Sequence, residues 1–145
     1  MRVSAKAEYA CIAVLELAAH YGEAAPVTVK AIAEQHGIPQ RYLVQILLQL
    51  KGAGYVTSTR GAAGGYQLTL PPEQVTLLDV MVAIDGDDAY PRRHKPEASP
   101  RSPATQAVCS VWNEVLATER TMLEEVTFAD LVQRMKRPAA NMYYI

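Results

Sequence analysis

Between Val27 and Leu70 the chain runs through a short apolar pattern, a glycine, a longer apolar pattern, and then strict alternation around three glycines. Thr28 can cap a helix over Val29–His36, whose inward face is Val29, Ile32 and Ala33. Gly37 supplies the turn because it tolerates a positive φ, and Ile38 is the apolar residue of that turn. Pro39 fits the cap or first turn of a following helix and no deeper position. That second helix should reach about Lys51. Leu43, Ile46, Leu47 and Leu50 face inward at spacings of three and four, and the outward face begins Gln40, Arg41, Val44, Gln45. Tyr55–Thr59 has strand propensity, Arg60–Gly65 is a glycine-rich turn, and Tyr66–Leu70 alternates as a second strand. This order is the plan of a winged helix-turn-helix, which sets one helix in a DNA major groove. Any small αα-hairpin shares its first half, and the hairpin with a basic residue towards its tip favours the groove-reading form. A glycine-rich loop can also cradle a nucleotide phosphate, but the Lys-Ser/Thr pair and directly following helix of such loops are missing.

The flanks read as support and as a second half. Ser4 can cap a helix reaching about Tyr21. Ala10–Ala19 is apolar at nearly every position except Glu16, the mark of a central helix packed on several sides. After Pro71 and Pro72, Thr76 caps a helix over Leu77–Asp85, which Gly86 ends. Residues 86–104 hold four prolines, mixed charges and almost nothing apolar, which reads as a flexible loop. From about Thr105 to Val126 a long helix is expected, with Val108, Val111, Trp112, Val115, Leu116, Met122 and Leu123 on one broad stripe. About 20 residues span ~30 Å, more apolar length than one small winged unit can bury, so dimerisation is its simplest use. Thr127 caps a last helix, Phe128–Arg137, and the aromatic tail Asn141–Ile145 either docks on a partner or frays. The expected fold is mostly α. Residues 1–85 form the winged domain, 86–104 the loop, 105–137 the dimerisation helices and 138–145 the tail.

Charge adds a weak asymmetry. Residues 1–70 carry six Lys/Arg against four Asp/Glu, whereas the rest carries eight against eleven. No apolar run reaches the roughly 18 residues of a membrane helix, and the opening Arg2, Lys6, Glu8 pattern does not read as a signal peptide. A cytoplasmic protein with no membrane partner is expected. Its two cysteines, Cys11 and Cys109, are expected to be reduced thiols.

Taken together, the residues carry a resemblance. Val3-Ser4-Ala5-Lys6-Ala7-Glu8-Tyr9-Ala10, Ile32 to Ile38 with Tyr42-Leu43, and the wing Arg60-Gly61-Ala62-Ala63-Gly64-Gly65-Tyr66 with Leu68 form its first part. Thr76-Leu77-Leu78-Asp79-Val80, the Trp112 helix and Val126 to Leu131 complete it. The chain resembles the Rrf-two family of bacterial regulators, the group of IscR and NsrR, over almost everything except the 86–104 loop and the tail. The resemblance implies a homodimeric winged-helix transcriptional regulator, often a repressor, whose two reading helices meet successive major grooves of a near-palindromic site. By position it implies Arg41, Tyr42 and Gln45 on the reading helix, flanked by Thr28, Pro39, Gln40 and Val44, and Arg60, Gly64 and Gly65 in the wing. Arg41 suits a phosphate or a guanine edge, and Arg60 a narrow minor groove. Ser4 and Lys6, at a helix N-terminus, suit a phosphate.

Two departures matter. The position after Leu43 is often Glu in such proteins, and here it is Val44, which can touch a thymine methyl but cannot accept from cytosine. Cluster-bearing members place three cysteines in the loop and at the start of the long helix, where this chain has only Cys109. The ligand candidates Cys109, Cys11, His94 and Glu8 are too few for a family-type iron–sulfur cluster, so no cofactor and no metal is expected. Cys109, near a helix N-terminus, remains a redox candidate, and Cys11 reads as a buried, inert thiol. His20, His36 and His94 are scattered singly. No nucleophile–base or paired-carboxylate constellation points to an enzyme. Double-stranded DNA, a second copy and a small-molecule or protein effector are the expected partners. A winged helix used only for protein contacts and a thiol- or metal-responsive sensor are the alternatives.

Overall fold

The computed structural model describes residues 1–137, and the aromatic tail lies outside them. Among the described residues are six α-helices and one hairpin: α1 (Ala5–Ala19), α2 (Val29–His36), α3 (Gln40–Gly52), β1 (Val56–Thr59), β2 (Gly65–Leu68), α4 (Leu77–Asp85), α5 (Pro103–Glu125) and α6 (Phe128–Met135). The core is built around α1. Ala10, Ala13, Val14 and Leu17 are shut away from solvent and meet Ile32 of α2, the Leu43, Ile46, Leu47 and Leu50 face of α3, Val56 and Leu68 of the hairpin, and Val80 of α4. The alanines of α1 let three helices approach it closely. This is why the helix is apolar most of the way round.

Local chemistry sets the boundaries. The Ser4, Thr28, Thr76 and Thr127 side chains each accept a first-turn N–H. Gly37 closes α2 at φ 65°, in the left-handed region, and its neighbour Ile38 is buried in the core. The hairpin pairs antiparallel, with Val56 opposite Leu68 and Thr59 opposite Gly65. Val27, just before α2, forms an isolated bridge to Tyr66, its N–H and C=O both bonded to Tyr66 at 3.0 and 2.8 Å. That bridge docks the wing onto the start of the helix-turn-helix.

Two features differ from the sequence reading. The last helix was grouped there with the long helix, but Phe128 (0 % exposed) and Val132 join the α1 core. The reason is backbone pairing as well as burial. Leu77 N–H bonds Val126 C=O and Phe128 N–H bonds Val75 C=O, both at 2.9 Å, so the starts of α4 and α6 lie side by side. Each of those helices carries a reciprocal capping box, Thr76 with Asp79 and Thr127 with Asp130. The long helix starts at Pro103, two residues before the expected Thr105, because proline is accommodated in a first turn and Ser102 caps it.

The segment before α5 is pinned at one residue. Tyr90 is buried against Ala7, Leu78 and Met81, and its hydroxyl donates to Asp85 at 2.6 Å. Arg120 of α5, also buried, donates to the Tyr90 carbonyl, to Asp87 at 2.7 Å and to Glu124. Apart from this anchorage and Leu123, which packs against the Tyr90 cluster, the apolar stripe of α5 stands off the core. Val108, Val111, Trp112, Val115 and Met122 are each about half exposed, between 47 % and 62 %, and Leu116 and Leu123 are partly buried.

Candidate nucleic-acid interface

α3 and the wing enclose the site. The buried leucine face of α3 fixes its rotation, which turns Arg41, Tyr42, Gln45 and Leu48 outward and leaves Val44 half-buried between them. Pro39 is the N-cap and offers no side-chain acceptor, so the first-turn N–H groups of α3 are uncapped beside the exposed Gln40. Between α3 and the hairpin lies an open cleft of about 470 Å³ lined by Thr28, Leu48, Lys51, Ser58, Arg60, Gly64 and Gly65, among others. Thr28, Arg60, Gly64 and Gly65 of the expected set therefore meet in one place. The others, Pro39 to Gln45, continue that surface along α3.

The cleft is one-signed. From residue 35 to residue 72 the chain has no Asp or Glu, while Arg41, Lys51 and Arg60 lie within that span. Lys51 donates to Ser58 Oγ at 2.6 Å, tying the end of α3 to β1 with its charge on the cleft. Reading the chain by apolar period passes over Lys51, Ser58 and Leu48. The acid-free run was the signal that would have marked Lys51.

Gly64 and Gly65 have a structural reason. A Cβ on Gly64 would lie 2.2 Å from the Thr59 carbonyl oxygen, and one on Gly65, at φ 149°, would lie 2.4 Å from the Val27 carbonyl oxygen. Both are demanded by the fold of the wing and its docking on Val27, whatever else approaches them. Ser4 and Lys6, expected at a phosphate, also have partners within the protomer. Ser4 Oγ caps Ala7 and donates to both oxygens of Asp85 at 3.0 and 2.9 Å, and a carboxylate there repels an anion. Lys6 Nζ donates to Gln49 Oε1 at 2.7 Å, while the Gln49 amide bonds the Ala83 and Ile84 carbonyls at 3.0 Å. These contacts brace α3 against α1 and α4.

The histidines are not all single. Glu16, the one polar residue in the heart of α1, is buried and accepts from His36 Nε2 at 3.0 Å and His20 Nε2 at 3.1 Å. His20 Nδ1 lies 2.7 Å from Glu23. Both ring nitrogens of His20 face carboxylates, an arrangement that favours the protonated ring, which can donate from both. The bond to Glu23, followed by that to Glu16, raises His20 above the ordinary histidine value. The network clamps α2, next to its turn, onto α1.

The thiols divide. Burial and the nearby Asp85 push Cys11 up to about 12, the mark of an inert thiol. Cys109 sits seven residues into α5 because the helix begins at Pro103. That places it beyond the first turn, where the field of a helix N-terminus is concentrated. Cys109 lines a mainly apolar cavity of about 480 Å³ with His94, Val108 and Trp112, and His94 meets the Trp112 ring edge-on at 4.8 Å. Among the described residues no group of three or more His, Cys, Asp or Glu is arranged to hold a metal ion. With one thiol in the core of α1 and the other on α5, the donors do not fit an iron–sulfur cluster within a protomer.

Among the described residues no helix is long and apolar enough to cross a membrane. Residues 3–134 match the family described as Rrf2, iron-dependent transcriptional regulator. The HTH-type protein Rv1287 of Mycobacterium tuberculosis is 41 % identical over 133 residues, which is 90 % of this chain and 81 % of that one. CymR of Bacillus subtilis, an HTH-type transcriptional regulator, is 30 % identical over 146 residues and the full length of both chains. Its solved structure, described as that of the global cysteine regulator, superposes with a TM-score of 0.80 over 92 % of this chain and 98 % of that one. The structure of IscR from T. potens superposes with a TM-score of 0.75 at 33 % identity, covering 99 % and 97 %.

Proposed function

This chain belongs to the Rrf2 family of helix-turn-helix transcriptional regulators, which are regulators and not enzymes, and we propose that it acts as a homodimeric repressor on a near-palindromic operator. α3 enters the major groove with Arg41, Tyr42, Val44 and Gln45 towards the bases and Gln40 at its uncapped start. The wing lays Arg60 along the adjacent minor groove, and Lys51 and Thr28 face phosphates. Lys6 braces α3 through Gln49, and Ser4 ties the start of α1 to α4 through Asp85. A bound α3 in each protomer occludes the promoter without any chemistry at the site.

The observation that carries this reading is the cleft between α3 and the wing, lined by Lys51 and Arg60 and by no acid, with Arg41 exposed further along α3. Groove binding is dominated by phosphate neutralisation, and a cleft of one sign suits it. The dimer is supported by α5, whose apolar stripe the described protomer leaves about half exposed at Val108, Val111, Trp112, Val115 and Met122. A helix of 23 residues with that face open matches the size and character of a subunit interface. The cavity beside Cys109 shares Val108 and Trp112 with that stripe, so the second subunit is its first candidate occupant. Any effector would act by changing how two copies of α5 sit. The family's iron dependence is not carried over, because the donors do not fit.

The test is a gel-shift titration on a selected operator at several salt concentrations. Arg41→Ala and Arg60→Ala should each weaken binding and lower the salt slope by about one. Unchanged affinity and slope in both variants overturn the groove assignment. Transcription from a promoter carrying the operator should fall on adding protein, and a rise overturns the repressor reading.

A further inference from the structure

The outward stripe of α3 consists of Arg41, Val44, Gln45 and Leu48, at offsets of three, four and seven from its first member. Other groove-reading helices present base contacts at this spacing. At 1.5 Å per residue the stripe spans about 10 Å, or about three base-pair steps. Two of its four members are apolar. Leu48 is 50 % exposed and lines the cleft beside Lys51 and Arg60, and Val44 is half-buried. The protomer's own core does not use this face, since Leu43, Ile46, Leu47 and Leu50 fill the opposite one.

The floor of the major groove offers one apolar group, the C5-methyl of thymine. Every other exposed edge is a donor or an acceptor. An aliphatic side chain pressed against those edges strips water from polar atoms and returns nothing, whereas against the methyl it buries apolar surface. α3 and the wing have no carboxylate to accept from a cytosine amine. We propose that Val44 and Leu48 select pyrimidine C5-methyl groups at two positions of each half-site, about two base-pair steps apart, with Gln45 and Arg41 reading the polar edges beside them. This inference rests on α3 being the groove element. The flanking Arg60 strengthens it, because an arginine in the minor groove favours the same A·T-rich sequence by its narrow shape.

The experiment uses the full chain. Bound sites are selected from a random duplex library, and the enriched site is resynthesised with deoxyuridine replacing thymidine one position at a time, which removes only the methyl. Uracil at two positions per half-site should weaken wild-type binding by about fourfold each, the effect of losing one methyl-sized apolar contact. Leu48→Ala should abolish the penalty at one position and Val44→Ala at the other, with circular dichroism confirming that both variants fold. 5-Methylcytosine opposite guanine at those positions should bind better than cytosine. The inference is overturned if uracil is neutral at every position, or if the penalties persist unchanged in both variants. Enrichment of no sequence at all overturns the underlying assignment of α3 as well, so the two failures are told apart.

Discussion

If α5 forms the proposed dimer interface, replacing Trp112 with alanine is expected to dissociate it while leaving the protomer folded. The indole is 49 % exposed in the isolated protomer. A tryptophan presents up to about 250 Å², so about 120 Å² is open for a partner to cover. At about 25 cal/mol per Å² that surface contributes about 3 kcal/mol, of which the alanine methyl keeps a small part. A two-fold interface contains the residue twice, so the variant loses about 5 kcal/mol of association free energy. The dimer dissociation constant should therefore rise by three to four orders of magnitude, roughly 1.4 kcal/mol per tenfold. Within the protomer the ring's covered half, which includes the edge contact with His94 at 4.8 Å, is lost as well, so some fall in thermal stability is expected alongside the weaker association. Sedimentation velocity on a dilution series of wild type and variant measures the association, and circular dichroism melting checks the fold. A variant whose dissociation constant stays within about tenfold of wild type would show that this face of α5 is not the interface.

Three further outcomes follow from the geometry. Phe128→Ala removes a fully enclosed ring and should cost about 3–5 kcal/mol in urea unfolding; a cost under about 1 kcal/mol would mean that α6 does not complete the core. Gly65→Ala forces a Cβ within 2.4 Å of the Val27 carbonyl oxygen, so amide exchange at Tyr66 should accelerate and operator affinity fall. Unchanged exchange would remove the docking role of the Val27–Tyr66 bridge. His20 is held above its ordinary value by Glu23 and then Glu16, so its contribution is fully present below the ordinary histidine pKa and is lost as pH rises through the raised one. The melting temperature should therefore drop from pH 6 to pH 9, by an amount equivalent to less than about 1 kcal/mol given its exposure. His20→Asn should flatten that drop, and an identical pH profile in the variant would exclude the clamp as its source.

Much of the reading unit was legible in the sequence because its determinants are local. Thr28, Gly37, Pro39 and Thr76 act within one turn of themselves, and the period of Leu43, Ile46, Leu47 and Leu50 states which face of α3 is buried before any partner is known. The wing followed from glycine spacing and β-propensity. Boundaries moved only by a residue or two, as at Pro103, where two helix-start signals compete.

What the chain alone left open concerns residues that meet across large separations. Glu16 reads as an anomaly in an apolar helix until His36, twenty residues on, is folded against it. Lys6 and Gln49, or Ser4 and Asp85, carry no mutual signal in the sequence, yet folding sets the first pair between α1 and α3 and the second between the start of α1 and the end of α4. The place of α6 was decided by the Thr76–Thr127 bridge, a pairing of backbones that side-chain pattern does not encode. Local propensity and period therefore determined which elements exist and which of their faces are apolar. Only tertiary packing, which closes long loops against their entropy, decided which polar side chains are engaged inside the protein and which remain free to face DNA.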